Sequence, residues 1–198
     1  MKKKRADEPV IREQPVTYDD YAAMPDDGNR YEIIDGVMEL MSPGPMAVHQ
    51  TLSRELLLLL IQSCRSDYAI FYAPFDVVLS KVNVVQPDIL MIHRSRIDIV
   101  KPHGVEGAPD LIVEILSPSS RKRDKVVKAG VYAKHQVPEY WLVDPETRTL
   151  EQYRLDGERY QLAEVYEADD RVSSDRLPCV SFVLGEAFDE VNRLNLPM

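Results

Sequence analysis

Four side chains in this sequence sit where a polar group needs a partner. Glu114 lies inside Leu111-Ile-Val-Glu-Ile-Leu116, where every neighbour is apolar. Strand alternation puts its carboxylate on one face with Ile112 and Leu116. An unpaired carboxylate there needs a cation, a metal ion or a proton, unless the strand is an edge whose polar face meets water. Asp88 follows Pro87 at the head of Ile89-Leu-Met-Ile92. Alone, a Pro-Asp dipeptide is equally at home in a turn. Together the two residues place an acid on each of two apolar strands, and converging carboxylates suit a hard cation such as Mg²⁺.

Lys128 is the third. The spacing predicts a helix over 119–136, capped by Ser119 or Ser120, with Val126, Val127, Gly130, Val131 and Ala133 as its buried stripe. At about 100° per residue, Arg121, Asp124, Lys125, Lys128 and Tyr132 share an arc beside that stripe. Asp124 and Lys128, four apart, can pair. The arc is either a solvated charged face or a wall beside Glu114. Arg121, Lys122, Arg123, Lys125 and Lys128 also form the densest positive cluster outside the N-terminus, fit for phosphate contacts or simply for solubility. Glu32 is the fourth. A two-residue turn at Asp35-Gly36 pairs Ile34 with Val37, Ile33 with Met38 and Glu32 with Glu39. Like charges so opposed call for solvent or a bridging cation. His49, at the start of a long helix, reads as a helix-end hydrogen-bonding group or a ligand. No Gly-rich phosphate loop, Gly-x-Ser-x-Gly elbow or His-Glu-x-x-His motif is present, against P-loop hydrolases, serine hydrolases and common zinc proteases.

The elements that position these groups follow from periodicity. Residues 1–16 read as a flexible tail and 17–198 as a single domain. Thr17 can cap a short helix, and Tyr31–Ile34 with Val37–Leu40 form the hairpin. Ser42-Pro-Gly-Pro45 breaks the sheet, and a helix runs from Ala47 to about Ser63. Strands are expected at 69–73, 75–79, 84–92, 110–116 and 139–143, with Pro87 marking an edge, bulge or strand start in the third. A second hairpin turns at Asp156-Gly157, and a short strand and helix close the chain. The order predicts an α/β fold with a mixed sheet.

The chain has 198 residues, with 24 Lys+Arg against 33 Asp+Glu, a net charge of −9. That field repels nucleic acid and anionic membranes, so phosphate binding must come from a local basic cluster. The two cysteines, Cys64 and Cys179, lie far apart, which argues against a disulfide scaffold or cysteine zinc site and suits a reducing cytoplasm. No apolar run is long enough for a membrane span, and the basic Met1–Arg5 is not followed by an apolar stretch, so no secretory signal is read. The expected location is cytoplasmic.

Several motifs occur in order: Arg30-Tyr-Glu-Ile-Ile-Asp-Gly36, Met41-Ser-Pro43 with His49, Gln86-Pro-Asp88, Asp110-Leu-Ile-Val-Glu-Ile-Leu-Ser-Pro-Ser119, then Asp124, Lys128, Tyr132 and Val137-Pro-Glu-Tyr-Trp-Leu-Val-Asp144. This resembles the Uma family of restriction-endonuclease-like proteins, within the PD-(D/E)XK nuclease superfamily, over roughly residues 17–190. The resemblance implies a central mixed β-sheet flanked by helices, with an added N-terminal β-hairpin and with the Pro-Asp and Glu strands side by side. It implies Asp88 and Glu114, with Glu32, as ligands for Mg²⁺ or Mn²⁺, and Asp88, Glu114 and Lys128 as catalytic residues. His49, Asp124 and Tyr132 become accessory residues. Leu116 stands where the superfamily formula has a lysine, and Lys128 on the following helix is the matching candidate. His135-Gln136 departs from a glycine common in relatives, which should affect only the helix end. The implied activity is metal-dependent endonucleolytic cleavage of DNA, with room for a homodimer. The rivals are a nuclease-fold interaction module without activity, and a nuclease acting on RNA.

Overall fold

The computed structural model describes residues 14–41 and 46–196. The expected tail over 1–13 and the break at 42–45 lie outside them. Residues 15 and 16 are docked: Val16 donates its N–H to the Gly36 carbonyl, and Pro15 lies against Gly36. Helix α1 (Tyr18–Ala22) starts on a reciprocal cap in which Thr17 Oγ1 accepts from the Asp20 N–H and the Asp20 carboxylate accepts from the Thr17 N–H. Strands β1 (Tyr31–Ile34) and β2 (Val37–Leu40) pair in the expected register, Glu32 opposite Glu39. Their turn places Asp35 and Gly36 at positive φ, the two-residue geometry an Asp-Gly pair favours.

Two six-stranded sheets follow. After α2 (Ala47–Cys64) come β3 (Tyr68–Tyr72), β4 (Asp76–Ser80), β5 (Asn83–Val85), β6 (Ile89–His93), β7 (Val100–Lys101), β8 (Gly104–Glu106) and β9 (Leu111–Ile115). A helix then runs through a π-helical stretch (Arg123–Lys128) into α3 (Ala129–Lys134). Next are β10 (Glu139–Asp144), β11 (Thr149–Asp156), β12 (Arg159–Tyr166), β13 (Arg171–Ser173), β14 (Ser181–Val183) and α4 (Asp189–Arg193). One sheet has the order β12-β11-β10-β9-β6-β3, with β9 and β10 parallel and β6 antiparallel to β9. This is the expected central mixed sheet, with the Pro-Asp and Glu strands adjacent. The other has the order β2-β1-β5-β4-β8-β7, so the hairpin heads a second sheet. The run at 84–92 is not one strand. It splits at Gln86-Pro87-Asp88, which carries the chain from one sheet to the other, because Pro87 has no N–H for the ladder.

Alternation along β6 and β9 divides the core. Ile89, Met91, Leu111, Val113 and Ile115 pack with α2 and the C-terminal segment, while Leu90, Ile92, Ile112 and Leu116 pack with Ile34, Val77 and Val85 of the second sheet. Helix 121–134 closes the same side through Val131 and Tyr132. The cysteine expectation is corrected. Cys64 at the end of α2 and Cys179 before β14 form a disulfide within the first cluster, their Cα atoms 5.1 Å apart. Distance in sequence, 115 residues, hid a contact that folding α2 against the C-terminal segment creates.

Candidate active site

Asp88 and Glu114 share a face. Ile89 pairs with Val113 in the antiparallel ladder, so the register continued by one step sets Asp88 opposite Glu114. Both have the parity of Leu90 and Ile112 and face the side between the sheets. The Ile115 N–H, freed at the end of this ladder, donates to Asp88 Oδ2 at 2.7 Å. Both acids line one cleft of about 630 Å³, together with Glu32, His49, Gln86, Asp124 and Lys128.

Helix 121–134 corrects the sequence reading of its faces. Of the expected stripe Val131 and Ala133 are buried, but Val126 is 63% exposed and Val127 43%, whereas Asp124, Lys128 and Tyr132 are buried. The polar arc is the inward face, because Glu114 and Glu32 need a counter-charge, and the π-helical stretch re-phases the turn that carries it. Lys128 Nζ lies 3.0 Å from Glu114 Oε1, 2.9 Å from Glu32 Oε1 and 3.8 Å from Asp124 Oδ1. Tyr132 donates its hydroxyl to the same Glu114 oxygen at 2.6 Å. Burial raises the Glu114 carboxyl well above the ordinary carboxylate range, against the opposing charge of Lys128. Burial alone would lower Lys128, but Glu114, Glu32 and Asp124 outweigh it and hold the ammonium charged. Burial also raises Asp124 and Tyr132, so the tyrosine remains a neutral donor. His49 Nε2 approaches Asp88 Oδ2 at 3.2 Å; burial lowers this imidazole, and the hydrogen bond and charge of Asp88 bring it above its ordinary value.

The basic cluster is largely committed to acids of the chain. Arg121 forks onto Asp144 and pairs with Glu146, Lys125 pairs with Glu151, and Arg123 bridges Glu32 and Glu39. That arginine is the cation the opposed glutamates called for. Lys122 is exposed and pairs with no acid among the described residues. Arg121, Arg123 and Lys125 are therefore structural cations first, against the expectation of ready phosphate contacts. Ser119 and Ser120 provide no side-chain cap; Ser120 Oγ instead accepts from the Ser117 N–H at 3.1 Å, fixing the turn after β9. Gln136 adopts φ +62°, which is why a glycine would suit that helix end.

The residues fit a divalent cation of the strongly hydrated kind. Among the described residues, no three acidic or histidine side chains enclose an ion by themselves. Glu32 is committed, Oε1 to the Gln86 N–H and Lys128, Oε2 to Arg123. Asp88 Oδ1 and Glu114 Oε2 receive no donor from the described residues and belong to cleft-lining side chains. Two carboxylate oxygens with the remaining positions left to water is the manner in which Mg²⁺ is held. Sequence reasoning missed Gln86 as a site residue. Its signal was a polar side chain between two apolar strands, and its backbone N–H fixes Glu32 while its side chain lines the cleft.

Comparison with known proteins agrees with this architecture. Among curated proteins none matches the chain. The crystal structure of a "putative nuclease belonging to DUF820" from Anabaena variabilis superposes with a TM-score of 0.71 at 23% identity, covering 88% of this chain and 98% of that one. The likeness shows a shared fold. The profile of the Uma2 family, described as "Putative restriction endonuclease", matches residues 18–184, and with most of its length covered the chain belongs to that family.

Proposed function

We propose that the chain is a divalent-metal-dependent nuclease that hydrolyses phosphodiester bonds of DNA. The observation that carries this reading is the placement of Asp88 and Glu114 on one face of neighbouring strands, opening into one cleft, with a charged lysine held against Glu114. Membership of a family described as restriction endonucleases supports nuclease chemistry. Asp88 and Glu114 would hold Mg²⁺ or Mn²⁺. When bound, such an ion polarises a phosphate oxygen and eases deprotonation of water. Glu32 and Tyr132 hold Lys128 and Glu114 in place, so the ammonium is pre-set to stabilise charge developing on the phosphate. His49 fixes Asp88 from α2. Among the described residues, Arg30 at the cleft wall and exposed Lys122 pair with no acid and are open to flanking phosphates.

A non-catalytic interaction module is the second reading, favoured by one observation: three of the four basic residues expected to meet phosphate are already paired with acids. One substrate panel separates the readings. Supercoiled plasmid, single-stranded DNA and RNA are incubated with the protein in Mg²⁺, Mn²⁺ or EDTA. Metal-dependent nicking of plasmid supports the proposal, cleavage of RNA alone moves the substrate class, and no cleavage of any substrate leaves the interaction module.

A further inference from the structure

Gln86 is 6% exposed and lines the cleft together with Glu32 and Asp88. Its side-chain amide is oriented by one strong contact, Nε2 donating to Asp76 Oδ1 at 2.8 Å. A carboxylate only accepts, so this contact fixes which end of the amide faces Asp76. The other end, Oε1, is then an acceptor by necessity, and it is buried with no donor among the described residues. Buried acceptors normally have a partner, and one left without in the wall of a cleft calls for an explanation, of which a bound water or ion is one. The backbone N–H of the same residue holds Glu32 Oε1, and Asp88 is two residues on, so this acceptor is tied rigidly to the acid cluster.

We infer that Gln86 is a positioning residue for a hydrated divalent cation: its Oε1 accepts a hydrogen bond from a water of the ion's hydration shell while Asp88 and Glu114 hold the ion. The inference rests on the metal-dependent reading of the site. Waters on a divalent cation are strong donors, and a strongly hydrated ion held by two carboxylates keeps several of them. Acceptors that fix such outer positions are typically worth about 10–100-fold in metal affinity. Asp76 acts one step further out, by denying the amide its flipped orientation. The strand pair β4–β5 therefore contributes to the site through Asp76 without touching the ion.

The test is Mn²⁺ affinity, read from the free-ion electron paramagnetic resonance signal, with metal-free melting temperatures alongside. Gln86→Met should weaken Mn²⁺ binding by about 10-fold or more, while the metal-free melting temperature falls only modestly, because Asp76 loses its Nε2 donor as a partnerless acceptor is removed. Asp76→Ala should weaken it in part, by releasing the amide. Asp76→Glu keeps a carboxylate, which can only accept from Nε2, and should bind like the wild type. Wild-type affinity in Gln86→Met would overturn the inference, as would equal losses in Asp76→Ala and Asp76→Glu. Should Gln86→Met not fold, the two Asp76 variants decide it. If the wild type itself binds no Mn²⁺, the metal reading of the cleft falls first and takes this inference with it.

Discussion

Lys128 has two roles that one substitution separates. Its ammonium is the counter-charge for Glu114 and Glu32 in the buried cluster, and it faces the cleft where phosphate would bind. Lys128→Met should lower stability in urea unfolding by about 3–5 kcal/mol, since buried Glu114 loses its cation while Glu32 keeps only Arg123, and cut cleavage by about 10²–10³. It should also tighten Mn²⁺ binding, because the ammonium and the ion draw on the same glutamate. Unchanged stability and cleavage would show that the buried ammonium contributes to neither. The acids were legible because a lone carboxylate in an apolar strand is anomalous on local grounds. Tyr132 and Asp124 were legible only as neighbours of Lys128 by helical spacing. Gln86 carried a signal, a polar residue between two apolar runs, but its contact with Asp76 did not show, since Asp76 lies on another strand and only the fold brings the two together.

Element-scale features were legible wherever one physical cause acted alone. The Asp35-Gly36 hairpin, the long α2 helix and the β9 and β10 strands follow from turn chemistry and periodicity. The helix faces at 121–134 did not, because burial of an ion-pair network overrode the apolar stripe and a π-helical stretch broke the 3.6-residue phase. Gly36 tests the hairpin. Its φ is +79°, and a Cβ there would meet Pro15 Cβ at 2.3 Å. Gly36→Ala should cost about 1–2 kcal/mol from the left-handed backbone alone, and chemical denaturation should show a larger loss from the Pro15 contact. The Arg121–Asp144 fork ties the start of the helix to the end of β10. Burial would raise the Asp144 carboxyl, but Arg121 and the Glu146 N–H outweigh it and lower it. Because the folded value is depressed, this contribution is complete above the unfolded carboxylate range, about pH 4, and is lost as pH falls through the folded value. Arg121→Met should therefore be less stable than wild type at pH 7, and the gap should close in acid. A gap that persists at pH 2 would assign the loss to packing.

At the scale of the whole molecule, a net charge of −9 surrounds a cleft whose acids are balanced from within. Among the described residues, Arg30 and Lys122 are the cations in or next to the cleft lining without an acidic partner, so DNA binding by the Glu114→Gln variant should depend weakly on salt. About two neutralised phosphates give a log–log slope of about −2, and a steep slope would mean that Arg121, Arg123 and Lys125 leave their acids on binding. No helix among the described residues is long and apolar enough to cross a membrane. The proposed function requires that Asp88 and Glu114 together hold the ion with which this cleft would cut DNA. Single-turnover cleavage of supercoiled plasmid in Mn²⁺ tests it most directly, run on wild type, Asp88→Asn and Glu114→Gln with matched melting temperatures. The account predicts nicking by the wild type, none in EDTA, and none by either variant although both remain folded; nicking at the wild-type rate by either variant would contradict it.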